Sequence, residues 1–172
     1  MNVREFLGRE AIAARVRELA AEMRRDAGPD APIHLVCVLK GAFVFLADLM
    51  RELDGPVTCD FIVAKSYAGT TSTGQVQLLK DLGHPIDGRH VIIVEDIVDT
   101  GLTLRHLQEV FRTRAPLALR TACLLSKPSR RKVDVPVDYV GFTIDDHFVV
   151  GYGLDFDEQY RNLPFIGIVG EA

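Results

Sequence analysis

Apolar residues in this chain alternate between helical stripes and short unbroken runs. Ile12, Val16, Leu19 and Met23 recur at helical spacing, with Arg and Glu filling the other face, so a core-facing helix is predicted over residues 9–25. Gly28-Pro29-Asp30-Ala31-Pro32 breaks it, and residues 33–39 follow as a first buried strand. The pattern then predicts a helix over residues 42–53, strands over 57–64 and 76–79, a turn over 84–88, and a helical stripe through Leu104, Leu107, Val110 and Phe111. Further strands are predicted over residues 117–125 and 137–144, with last apolar runs at 148–152 and 165–169. Strands alternating with helices imply an α/β fold with a mainly parallel central sheet and right-handed crossovers, the terminal segments capping its crevice.

Residues 91–104 stand out. Val91, Ile92, Ile93 and Val94 form a continuous apolar run, which suits a strand buried on both faces of a parallel sheet. Glu95 and Asp96 then fall at its carboxyl end, where ligands bind in open α/β sheets. Asp99-Thr100-Gly101-Leu102-Thr103 reads as a cradle for a phosphate monoester: Gly101 permits close approach, Thr100 and Thr103 add hydroxyl donors, and the helix that follows offers unpaired amides. Asp99 would repel a phosphate, so it either caps the helix or faces another part of the ligand. Glu95 and Asp96 are either solvated strand-end charges or ligands for magnesium or a ribose diol.

Two lysines occupy matching places: Lys40-Gly41 after the first buried strand, and Lys127 after the strand over 117–125. Residues 66–74, Ser-Tyr-Ala-Gly-Thr-Thr-Ser-Thr-Gly, are the one Gly/Ser/Thr-rich segment, either a hairpin tip or a lid that closes over the crevice.

A length of 172 residues fits one domain able to bury about 70% of its unfolded surface without disulfides. A net charge of -4, with no basic run longer than Arg130-Arg131-Lys132, argues against nucleic-acid binding. Cys37, Cys59 and Cys123 sit in apolar runs and read as buried thiols of a reducing, cytoplasmic compartment. Neither a signal core nor an apolar span of membrane length is present, so a soluble protein with no membrane partner is expected.

The stretch over 91–104 resembles the phosphoribosyl pyrophosphate signature of type I phosphoribosyltransferases. Together with Leu39-Lys40-Gly41, Ser66-Tyr67, Lys127, the run Phe148-Val149-Val150-Gly151-Tyr152, Asp155 and Arg161, the chain is similar over nearly its full length to the bacterial hypoxanthine branch of that family. The resemblance implies a type I phosphoribosyltransferase fold, with about 134–172 contributing a base-binding hood to a single domain. It implies that Thr100, Gly101, Leu102 and Thr103 hold the 5′-phosphate, and that Glu95 and Asp96 hold the ribose hydroxyls and a magnesium ion, with Asp155 holding a second. Asp99 would take a proton from the purine at N7 of the ring, as N9 attacks the anomeric carbon. Lys40, Gly41 and Arg161 would bind pyrophosphate, and Ser66 and Tyr67 would open the lid. Lys127 would donate to a 6-oxo group, Phe148 and Ile97 would sandwich the base, and the backbone at Val149 would meet its exocyclic edge. A homodimer or homotetramer is the implied assembly.

Two other functions fit parts of this pattern. A regulator could keep the phosphoribosyl pyrophosphate site as a sensor, though Asp99 and Lys127 would then have no task. A xanthine- or adenine-directed transferase is the other, and a cation aimed at the exocyclic amine disfavours adenine.

Overall fold

The continuous apolar run at 91–94 becomes the middle of a sheet with helices on both faces. The computed structural model describes residues 2–67 and 75–170. Chain order runs β1 (Asn2–Leu7), α1 (Arg9–Ala27), β2 (Ile33–Leu39), α2 (Phe43–Glu52), β3 (Val57–Tyr67), β4 (Gln75–Lys80), β5 (His90–Val98), α3 (Leu102–Arg112), β6 (Ala118–Ser126), β7 (Tyr139–Thr143), β8 (Val149–Val150) and β9 (Ile166–Gly170). Six of these strands form one sheet in the order β4-β3-β2-β5-β6-β7, parallel except for the antiparallel β3/β4 edge.

Side chains alternate across β5, and each face has its own cover. Ile92 and Val94 join the core under α1 and α2, with Leu19, Met23, Phe45 and Leu49. Val91 and Ile93 join the core under α3, with Leu104, Leu107 and Phe111. Each fully buried side chain of this size contributes about 1.5–3 kcal/mol relative to exposure, so the strand that carries the candidate site is firmly anchored on both faces.

Strands β1, β9 and β8 form a separate antiparallel sheet from the two ends of the chain. β1 was not expected from its sequence, because Asn2-Val3-Arg4-Glu5-Phe6-Leu7 is mostly exposed and lacks a buried stripe. It is a strand because β9 offers it an edge, pairing Val3 with Val169 and Arg4 with Ile168.

Two expected boundaries shift. β3 extends through Tyr67, so Ser66 and Tyr67 are strand residues paired with Val76 and Gln75 rather than the start of a loop. The rest of the expected lid, residues 68–74, lies outside the described residues. β5 extends through Val98, which places Glu95 and Asp96 inside the strand. All three cysteines are free, but Cys59 is only half-buried, unlike Cys37 and Cys123. Among the described residues, no helix is long and apolar enough to cross a membrane.

Candidate active site

Parallel pairing brings the carboxyl ends of β2, β5 and β6 side by side, and most of the candidate residues sit there. Glu95 pairs with Cys123 and Val98 with Ser126 across β5/β6. Beyond that register, the Lys127 amide donates to the Val98 carbonyl at 3.0 Å, so the lysine expected at the base starts beside the turn expected at the phosphate.

At β2 the Leu39–Lys40 peptide is cis, and Gly41 follows. A Cβ on Gly41 would lie 1.6 Å from Oδ2 of Asp96, so the absent side chain is what admits the Asp96 carboxylate. The Ile97 amide donates to Asp96 Oδ1 at 2.6 Å. Burial pushes Asp96 up to about 6, against the opposing pull of the Ile97 amide and the charge of Arg161. Glu95 is buried beside it and is raised well above the usual carboxylate range, first by desolvation and then by the charge of Asp96. Glu95 is buried and Asp96 half-buried, and neither forms an ion pair among the described residues, which is costly unless a ligand supplies the missing charge.

The turn after β5 has the shape of an anion cradle. Gly101 adopts the left-handed conformation at φ 84 and stands immediately before α3. A pocket of about 90 Å³ is lined by Glu95, Ile97, Asp99, Thr100, Gly101 and Thr103, at the positive end of the helix dipole. Leu102 supplies the first helical amide, which lies 3.4 Å from Thr100 Oγ1. A larger cavity of about 770 Å³ lies between α1, α2 and residues 161–164, but of the candidate residues it includes only Arg161. Chemistry rather than size therefore selects the crevice.

Asp99 does not cap α3: the cap is Gly101, and no side-chain cap bond is made. Instead its carboxylate accepts from Arg130 Nε at 3.0 Å and is 40% exposed, open to a ligand beside the turn. Arg130 also reaches Asp146 at 3.5 Å, and Asp146 in turn faces Lys127 Nζ at 3.3 Å. Lys127 is largely buried, so its ammonium is aimed rather than solvated.

The hood carries the remaining candidates. Phe148 is 53% exposed and meets Phe156 edge-on at 5.6 Å, so it is a surface ring rather than a core residue. Val149 is buried in β8, the edge strand of its sheet, and pairs with Ile168 on the inner side only. Arg161 pairs with Asp155 at 3.0 Å and Glu158 at 3.3 Å, and donates to the Gly153 carbonyl at 2.7 Å. Its Nε is buried with no partner among the described residues. Lys40 extends into solvent and pairs with Glu158 at 2.8 Å. Among the described residues, no group of three or more His, Cys, Asp or Glu side chains is arranged around a common metal position. Asp155 is held by Arg161, although its charge still acts on Asp96.

Sequence reasoning passed over Arg130, Arg131, Asp146 and Phe156. The two arginines were visible only as part of a short basic run, and their partners at the Asp99 turn are 31–33 residues away in the chain.

Residues 2–157 match the model of the phosphoribosyl transferase domain. The chain belongs to that family. Its similarity to individual phosphoribosyltransferases covers almost the full length. The hypoxanthine-guanine phosphoribosyltransferase of Bacillus subtilis is 45% identical over 168 residues, 97% of this chain and 93% of that protein. The hypoxanthine phosphoribosyltransferase of Salmonella typhimurium is 48% identical over 162 residues, 92% of this chain and 90% of that protein. A crystal structure of a hypoxanthine-guanine phosphoribosyltransferase from Bacillus anthracis, with a HEPES molecule in its active site, superposes with a TM-score of 0.94 at 48% identity, covering 98% of this chain and 100% of that one. The six-stranded sheet with its terminal hood is thus the type I phosphoribosyltransferase fold.

Proposed function

We propose that this chain transfers the 5-phosphoribosyl group from phosphoribosyl pyrophosphate to N9 of hypoxanthine and of guanine, giving IMP or GMP and pyrophosphate in purine salvage. The observation that carries this reading is the adjacency of Lys127 and the Asp99 turn, joined by the 3.0 Å bond from the Lys127 amide to the Val98 carbonyl. A base held by Lys127 therefore lies beside the cradle that takes the phosphate.

The order of events follows from the residues. The Thr100–Thr103 turn and the α3 amides bind the 5′-phosphate, while Lys40, the Gly41 backbone and Arg161 bind pyrophosphate. Lys127 Nζ donates to the 6-oxo oxygen, Phe148 stacks on the base with Ile97 opposite, and the open edge of β8 at Val149 meets the exocyclic group. N9 forms a bond to the anomeric carbon as the bond from that carbon to pyrophosphate breaks, and pyrophosphate leaves with the electron pair. The proton displaced from N7 passes to the Asp99 carboxylate. The positive charge developing on the sugar lies near Glu95 and Asp96.

Magnesium fits the donor set, because the buried Glu95 and half-buried Asp96, with no ion pair among the described residues, are hard oxygen ligands. Glu95 and Asp96 would hold one ion and Asp155 a second, needing no closed three-residue site since substrate oxygens and water complete magnesium coordination. When bound it supplies charge that stabilises the departing pyrophosphate. Ser66 and Tyr67 lead into the segment that would exclude water from the reacting sugar.

Purified protein with magnesium and phosphoribosyl pyrophosphate should form IMP from hypoxanthine and GMP from guanine, followed by chromatography, with far less product from adenine. No product from either 6-oxopurine would overturn the reading. Preference for adenine would overturn the role of Lys127.

A further inference from the structure

One residue ties the Asp99 turn to the end of β6, and it is none of those given a substrate role above. Arg131 follows the short 3-10 turn at Pro128–Arg130 and runs back beneath the strand ends. Its Nη1 donates to the Val98 carbonyl at 2.6 Å and the Asp99 carbonyl at 2.7 Å, and lies 3.4 Å from the Lys127 carbonyl. Its Nη2 donates to Ser126 Oγ at 2.8 Å. The Arg131 Cδ would lie 3.4 Å from a Cβ on Gly101, which places the arginine stem directly against the turn. Next along the chain, the Lys132 amide donates to the Thr100 carbonyl at 2.9 Å.

The Val98 carbonyl closes β5 and also accepts the Lys127 amide, whereas the Asp99 carbonyl stands between the end of β5 and the start of α3 at Leu102, outside the sheet and before the helix. A carbonyl that rotates carries its peptide with it, and the Asp99 peptide determines both the direction of the Asp99 side chain and the amides offered to phosphate. One guanidinium, with planar donors in a fixed fork, holds two successive carbonyls of this turn and a hydroxyl on the neighbouring strand at once. A lysine ammonium, a point charge on a flexible stem, cannot span the same three acceptors in one plane.

Resting on the phosphoribosyl transfer proposed above, we propose that Arg131 is a positioning residue for that reaction, locking the peptide of Asp99 to the β6 end that carries Lys127. It acts through main-chain oxygens, and its effect on catalysis is the alignment of proton acceptor, phosphate amides and base donor. Misalignment near 1 Å costs about a hundredfold in rate, which sets the scale expected on its removal.

The test compares wild type, Arg131→Ala, Arg131→Lys and Ser126→Ala by steady-state kinetics and thermal unfolding. Arg131→Ala should lower kcat/KM for hypoxanthine by about a hundredfold and should lower kcat itself, because alignment rather than substrate grip is lost. Arg131→Lys should recover little of it. Added guanidinium ion at low millimolar concentration should restore part of the Arg131→Ala rate, while ammonium at equal ionic strength should not; a residue that only stabilised the fold would gain nothing from a denaturant cation. Ser126→Ala removes only the Nη2 bond and should lose only a few-fold in kcat, and it keeps the test open if Arg131→Ala fails to fold. Wild-type kinetics in Arg131→Ala, full recovery in Arg131→Lys, or loss of rate that tracks unfolding without guanidinium rescue would each overturn the proposal. Absence of IMP formation by wild type would instead remove the transfer reaction on which it rests.

Discussion

The end of β5 and the hood are built from opposite materials. At β5 the acids Glu95 and Asp96 project from a strand covered on both faces, and the turn that follows is held by Arg131 and Lys132. In the hood, Phe148, just before β8, and Phe156, which meets it edge-on, stand more than 40% exposed. In the proposed reaction phosphate and ribose are the constant parts of the substrate and would meet the turn held by Arg131 and Lys132, and a planar base would meet the exposed half, where Lys127 faces Asp146. The difference implies a site whose sugar-phosphate half is formed before binding and whose base half is completed by the ligand.

Substitutions in each half should separate these roles. Asp99→Asn keeps the shape of the turn but removes the proton acceptor, so kcat should fall by about 10²–10⁴-fold while IMP binding measured by calorimetry changes little. Unchanged turnover would make Asp99 a bystander paired with Arg130. Gly41→Ala drives a methyl into the Asp96 carboxylate, and kcat/KM for phosphoribosyl pyrophosphate should fall by about a hundredfold with the displacement of that acid. Phe148→Ala should raise KM for hypoxanthine by about tenfold, toward the low end of the roughly 1–3 kcal/mol of base stacking, and should leave thermal stability near wild type because the ring is largely exposed. If Phe148→Ala lost stability and not affinity, the hood would be core rather than platform.

Asp60 provides the control away from the crevice. Burial pushes its carboxyl up, but the amides of Phe61 and Gly83, the charge of Lys80 and the amide of His84 together hold it below the usual range. The stability it contributes is complete above the unfolded value of about 4 and is lost as pH falls through the lower folded value. Asp60→Asn should therefore cost about 1–3 kcal/mol at neutral pH and flatten the acid limb of the stability curve, with kcat unchanged.

What could be read in the chain alone follows the same division. Val91–Val94 announce a doubly covered strand because their neighbours on both faces are apolar, and the alternation of elements leads to the sheet. The boundary after Val94 was hidden, since Glu95 and Asp96 interrupt the apolar pattern while remaining within the strand. β1 was hidden because its partner, β9, lies at the other end of the chain. Asp99 could be a cap or a proton acceptor by residue type, and only the backbone shows that Gly101 is the cap. Arg131 acts on carbonyls, which every residue has, so no pattern of side chains could mark it.

Calorimetric titration of the free protein tests the central contrast most directly. Phosphoribosyl pyrophosphate with magnesium should bind alone, and hypoxanthine should bind measurably only once the sugar-phosphate half is filled, as by a non-reacting phosphoribosyl pyrophosphate analogue. Equal binding of hypoxanthine to the free protein would contradict the account, because the base half would then be formed without its ligand.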